Sequence, residues 1–175
     1  AIVARRPAAV AALTSVWGAS AVLGLILHAN SVCQEIAVAA PIELPTSGPP
    51  EMFLPSLLAS LARGTGVEGG RLDGRGECFL LQLLVIWANS CPSAAHAIAS
   101  EPSHVMWLVG LLGSASTREE AGLEVRGCAG LLVAAALHFC HDDELLASIL
   151  AIVEGRVGLA GFQQHISLLL KSDSF

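Results

Sequence analysis

The sequence predicts an all-α fold, and three observations carry that reading. Apolar residues recur at helical spacing, while no stretch alternates with period two and no hairpin turn sequence lies between β-branched runs. The longest apolar segments resemble one another. Residues 21–30 lie over 80–89 at an offset of 59 (89 minus 30), both closing in Ala-Asn, and 128–138 lie over 78–88 at an offset of 50 (128 minus 78). Each strongly apolar helix is followed by a short helix and then an amphipathic one. Unequal offsets, three helices per unit and one helix apolar all round describe an armadillo/HEAT-like right-handed solenoid.

The elements follow from local chemistry. Segment 8–29 reads as a long helix with Pro7 at its start, where a missing N–H is tolerated. The shorter apolar stretch 31–40 ends before Pro41. Three prolines and a glycine make 42–50 a loop. Leu54, Leu57, Leu58 and Leu61 mark 54–63 as a helix with Pro55 in its first turn. Six glycines in thirteen residues make 64–76 a flexible connection. Helix 77–89 is broken at Cys91-Pro92, and Pro92 opens a short helix through Ala99. Glu101 opens the next, which carries Val105, Leu108, Val109 and Leu112. After a loop at 114–117, one long or broken helix covers 118–140. Asp142, Asp143 and Glu144 stand where negative charge meets a helix N-terminus, and that helix runs to about 154. The last covers about 159–171. The repeats are 7–50, 51–100 and 101–143, with closing helices over 144–171, and 1–175 form part of one armadillo-like domain. Leu81, Leu84, Val85 and Leu131 are expected in the core, and 41–50 and 64–76 at the surface.

Composition excludes several classes. A chain of 175 residues fits one domain or part of a larger one and is long enough for a real core. At 54% hydrophobic and 14% charged it is neither a disordered acidic tail nor a solvated coiled coil. Eight arginines and one lysine are scattered, so no basic stripe awaits a nucleic-acid backbone. The net charge of -6 favours polar or basic partners over anionic lipid. Five cysteines, an odd number with no CxxC pair, read as free core thiols in a reducing compartment. The chain begins at Ala1, as a processed protein or a piece of a longer one does. Residues 7–34 are uncharged behind Arg5 and Arg6, as in a signal peptide or a spanning helix. Thr14, Ser15, Ser20, His28, Asn30 and many alanines favour a buried solenoid helix instead, as does a second uncharged run at 78–100 that is too short to span.

No residues meet the requirements of a reactive site. Cys128, His138, Cys140 and His141 form the densest cluster of potential ligands. His138 and His141 share a helix face, but Cys140 points off it and Cys128 lies over two turns upstream, unlike the close pairs of zinc sites. They read as a core thiol and helix-end histidines, with no metal. Each cysteine lies in an apolar run, where burial raises the thiol pKa and makes it inert. There is no GxSxG and no HExxH, and the glycines of 64–76 follow no strand and lack the GK[ST] ending of a phosphate loop. Asp142, Asp143 and Glu144 point in different directions and read as a helix cap rather than a carboxylate pair. Trp17, Trp87 and Trp107 read as core, with Trp107 the one suspected of a partial surface role. The expectation is a protein without catalytic residues or cofactors, not an enzyme.

Three blocks carry a family likeness. LLQLLVIWANSCPSAAHAI at 80–98 sets Trp87, Asn89, Cys91 and Pro92 as a leucine-rich helix, a tryptophan and an Asn/Cys-Pro break. EVRGCAGLLVAAALHFCHDD at 124–143 carries Gly127, Cys128, Leu131 and Leu132 and closes near Asp142. ILAIVEGRVGLAGFQQHISLL at 149–169 carries Arg156, Gly158 and Phe162. In this order and spacing they resemble the general vesicular transport factor family of vesicle-tethering proteins, also called transcytosis-associated or Uso-type. The likeness covers 51–171; it is looser over 1–50, which has a Pro-rich insertion. Glu154-Gly155 stand where that family usually has Lys, and Arg126 where it has Gln.

The resemblance implies an armadillo-type head, followed by a long coiled coil giving a parallel homodimer, and an acidic tail; this chain would be the C-terminal part of the head. It implies docking of vesicles to Golgi membranes before fusion, in ER-to-Golgi and intra-Golgi transport. The implied partners are proteins: a Rab-family GTPase, golgins, and SNARE or tethering-complex subunits, with no nucleic acid. The implied location is cytoplasmic, peripheral on Golgi membranes, and the motif residues would be mostly structural. The alternatives are another armadillo/HEAT adaptor, importin-like or an assembly scaffold, and a small integral membrane protein spanning at 8–29.

Overall fold

Prolines, capping side chains and left-handed residues set several of the helix limits. The computed structural model describes residues 5–42, 50–63, 74–113 and 120–171. Helix α1 (Arg5–Leu27) is followed by α2 (Ser31–Val38), a two-residue strand β1 (Pro41–Ile42), its partner β2 (Glu51–Met52) and α3 (Phe53–Ala62). Then come α4 (Gly74–Ala88), α5 (Pro92–Ala99), α6 (Pro102–Gly113), α7 (Glu120–Phe139), α8 (Asp143–Arg156) and α9 (Leu159–Leu169).

The boundaries have local causes. After α1, Ala29 takes a left-handed conformation (φ 52°), and the Asn30 side chain accepts from the Cys33 N–H to cap α2. After α4, Ser90 is left-handed (φ 78°) and Pro92 occupies the first turn of α5. Asp142 caps α8 by accepting from the Glu144 and Leu145 N–H groups, the role expected of the acidic cluster. Gly158 (φ 75°) ends α8, its N–H donating to the Val153 carbonyl at 3.0 Å. That left-handed closure suits glycine, and α9 leaves at an angle of 87°.

Non-adjacent helices pack on one another. Helix α1 lies on α4, α4 on α7 and α7 on α9; α2 lies on α5; α3 lies on α6, and α6 on α8. The continuous core includes Leu58, Leu81, Leu84, Trp87, Leu108 and Leu132, all fully buried. One buried polar side chain runs through it. Gln34, 1% exposed, donates from Nε2 to the Leu27 carbonyl (2.9 Å), and its own backbone carbonyl accepts from Trp87 Nε1 (3.1 Å). Two glycines admit α9 against α7. A Cβ at Gly127 would lie 2.5 Å from Leu169 Cβ, and one at Gly130 would lie 3.1 Å from Ile166 Cγ1.

Several expectations are corrected. Pro41 pairs with Met52 and Ile42 with Glu51, so Ile42, expected to open a loop, lies in a short antiparallel ladder; Ile42 is half-buried, and 43–49 lie outside the described residues. The connection at 64–76 is shorter than expected, because α4 already begins at Gly74 and Gly76 is buried; 64–73 lie outside the described residues. Leu131 and Val85 are half-buried, and neighbouring Leu132 and Leu83 take the buried positions. A helix that is apolar nearly all round has no polar face to fix its rotational phase. Among the described residues one helix, α7, is long and apolar enough to cross a membrane, over Gly122–Phe139, and half of that window is buried inside the protein.

Candidate functional site

The twelve motif residues are distributed through the fold rather than gathered at one site. Trp87 is fully buried and stacks in a tilted contact with Phe53, centroids 5.8 Å apart. Asn89 is exposed just beyond α4, and exposed Pro92 opens α5. Buried Cys91 directs Sγ at Glu35 Oε1 (3.6 Å), which also accepts from Ser93 Oγ (2.9 Å). Burial pushes the Cys91 thiol pKa up. Gly127 and Leu132 are buried within α7, Leu131 is half-buried, and Asp142 is the α8 cap. Arg156 sits exposed in the last turn of α8, where a cation suits the helix dipole. Gly158 makes the bend into α9 and Phe162 is buried behind it. Arg126 donates from Nε to the Gly122 carbonyl at 3.1 Å.

The four potential ligands Cys128, His138, Cys140 and His141 are dispersed. Helix α7 ends at Phe139, so His141 lies beyond it and does not continue the His138 face. Both histidines are exposed, His138 lying edge-on to Phe139, while Cys140 donates to the Asp142 carbonyl (3.5 Å). Cys128 is buried beside Cys78, whose thiol donates to Glu124 Oε2 at 3.2 Å. The hydrogen bond with Cys128, then burial, then Glu124 hold the Cys78 thiol pKa far above its ordinary value. Among the described residues no three His, Cys, Asp or Glu side chains are grouped to hold a metal ion. All five cysteines are free thiols, Cys33 half-buried and the others buried.

Two surface features stand out, and helical periodicity identified neither. On α1 and α2, Trp17 (53% exposed), Val22, Leu25 (80%), Ile26, Val32 and Ile36 face outward. This corrects the placement of Trp17 in the core: an apolar stripe predicts burial only where a neighbour covers it. Trp17, Ser20, Gly24 and Leu25 meet Phe79 and Ile86 of α4 around a groove of about 430 Å³. Trp107 is half-buried, in keeping with its suspected partial surface role.

The second feature is a cleft of about 530 Å³ between β2, α3, α5 and the start of α6. Glu51, Pro55, Ser56, Ala97, Glu101 and His104 are among its lining residues. His104 is only 5% exposed, and its Nδ1 has no hydrogen-bond partner. Burial lowers its pKa, partly offset by the charge of Glu101 and by a hydrogen bond with the Ala97 carbonyl. A single histidine in an apolar helix gives no sequence signal of such a cleft, because its walls come from segments about fifty residues apart in the chain. No protein-family profile matches the chain, and no curated protein is significantly similar to it in sequence.

Proposed function

We propose that this chain is a protein-binding scaffold, a right-handed armadillo-like solenoid from the head of a vesicle tether of the general vesicular transport factor family. The observation that carries the scaffold reading is the outward apolar face of α1 and α2, from Trp17 to Ile36. Large exposed apolar patches mark surfaces that another molecule covers. The packing of α1 on α4 on α7, with α2 on α5 and α3 on α6 beside it, supports stacked three-helix repeats, each burying a face against the next. The likeness of 80–98, 124–143 and 149–169 to the tethering family supplies the pathway: docking of vesicles at Golgi membranes through protein partners. The motif residues serve helix ends and close packing, as befits a fold shared for scaffolding rather than chemistry.

Localisation of the tagged full-length protein tests the reading. Concentration at early Golgi membranes, released by salt or alkali, is expected. Steady nuclear localisation would favour the importin-like alternative. The same exposed side chains of α1 favour one second reading, insertion into a membrane, and retention in the pellet after carbonate extraction would establish it in place of tethering.

A further inference from the structure

We infer that the outward apolar face of α1 and α2 is a twofold dimer interface, covered by the same face of a second copy of this chain; this deepens the scaffold reading and rests on it. Six side chains form the face: Trp17, Val22, Leu25 and Ile26 on α1, and Val32 and Ile36 on α2. At 3.6 residues per turn the four on α1 fall within one half of the helix, opposite buried Ser20, Gly24 and Leu27. Val32 and Ile36, four apart, share one side of α2. Together the six leave about 700 Å² of apolar surface to solvent, more than the roughly 300–600 Å² of the largest patch on a typical monomer and close to the ~800 Å² per partner that a stable interface buries.

Packing and charge both point to a like partner. Helix α4 is packed by α1 and α7, and α7 by α4 and α9, whereas α1 ends the row and no described helix covers its outer half. A second α1 supplies that neighbour through the same kind of apolar contact. Between residues 7 and 42 the sole charged side chain is Glu35, whose Oε1 accepts from Ser93 Oγ at 2.9 Å. A charged partner therefore finds no counter-charge here beyond Glu35. Two copies can meet at this face with little of the repulsion that a net charge of -6 imposes elsewhere. A head-to-tail contact with α9, at the other end of the row, fits less well. Leu159, Leu168 and Leu170 expose about half as much apolar area there, with exposed Arg156 and Lys171 nearby in the chain. Only the face against itself matches area with area, and such an isologous contact closes at two copies.

The test is sedimentation equilibrium of the full 175-residue chain over a concentration range of about 1–100 μM. A monomer–dimer equilibrium is expected, with the dimer dominant at the upper end. Leu25→Glu and Ile36→Glu, each at an exposed side chain and checked for folding by circular dichroism, should each weaken dimerisation by about tenfold or more, because a twofold contact buries every unpaired carboxylate twice. Leu168→Glu, at an exposed position on α9, should leave the dimer unchanged. A monomer throughout the range, a polymer that grows with concentration, a dimer that survives both face substitutions, or one equally weakened by Leu168→Glu would each overturn the proposal. A monomer that floats with phosphatidylcholine vesicles would give the face to a lipid surface instead. A monomer with intact Golgi localisation removes the twofold contact alone, whereas nuclear localisation removes the tethering assignment whether or not the chain dimerises.

Discussion

Replacing Gly127 with alanine should destabilise the protein, against the usual trend for a helix interior. Glycine within a helix costs about 1 kcal/mol relative to alanine, so propensity alone predicts a gain. At Gly127 the added methyl would lie 2.5 Å from Leu169 Cβ and 2.7 Å from both Cγ and Cδ2. Rotation of the Leu169 side chain relieves the second pair of contacts but not the first, because Cβ moves only with the backbone. The C-terminal turn of α9 must therefore shift away from α7. Overpacking of this kind costs about 1–3 kcal/mol, and the strain falls at the severe end because backbone must yield. The net expectation is a loss of about 1–2 kcal/mol, a fall in the urea midpoint of roughly 0.5–1 M for a chain of this size. Gly155 is the internal control: it lies in α8 with nothing within 4 Å of an added Cβ, so Gly155→Ala should raise stability by about 0.5–1 kcal/mol. Paired urea melts followed by far-ultraviolet circular dichroism measure both. A Gly127→Ala protein as stable as the parent, or more so, would refute the close approach of α9 to α7.

Three further outcomes are expected. Asp142→Ala removes the acceptor for two N–H groups at the start of α8 and should cost about 1 kcal/mol in the same melts, whereas Asp142→Asn should retain most of the cap. His104 and His165 both have pKa values held below the ordinary 6.5, by burial first and, for His165, also by Arg126. Their unfolded forms take up protons first on acidification, so stability is full above about pH 6.5 and falls as pH descends toward the folded values. Urea midpoints that stay level or rise between about pH 7.5 and 5.5 would contradict that sign. Alkylation followed by intact mass should label half-buried Cys33 before the four buried thiols, reach five adducts after denaturation, and accompany no stoichiometric zinc by elemental analysis.

Helix limits were legible wherever one residue decides the backbone. Pro92 marks the start of α5 and Asp142 the cap of α8, because a fixed φ and a short acceptor side chain act locally; Gly158, which makes the left-handed turn into α9, was legible only as a motif residue. Rotational phase was not legible. Leu131 and Leu132 are alike to any apolar scale, and the four helices around α7, not its own pattern, choose which one is buried. Trp17 failed for the complementary reason, since its spacing is that of a buried stripe while the described residues place no helix over it. The β1–β2 ladder is two residues long, too short for alternation to register. The His104 cleft depends on bringing β2 beside α5 and α6, a juxtaposition no local pattern encodes.

The chain from the Leu27 carbonyl through Gln34 to the Trp87 indole acts on a coordinate that apolar packing leaves nearly free, translation along the helix axes. Faces built of leucine and alanine offer similar burial when one helix slides past another by a turn, about 5.4 Å. A directional bond does not: the same slip would separate Nε2 from the α1 terminus and the indole from the Gln34 carbonyl, leaving donors and acceptors unpaired in a dry interior. At about 1–3 kcal/mol for each stranded group, the misaligned stack is disfavoured by more than its apolar contacts recover. Gln34 is thus an indexing pin among α1, α2 and α4, selecting one of several nearly equivalent ways of nesting the same greasy surfaces.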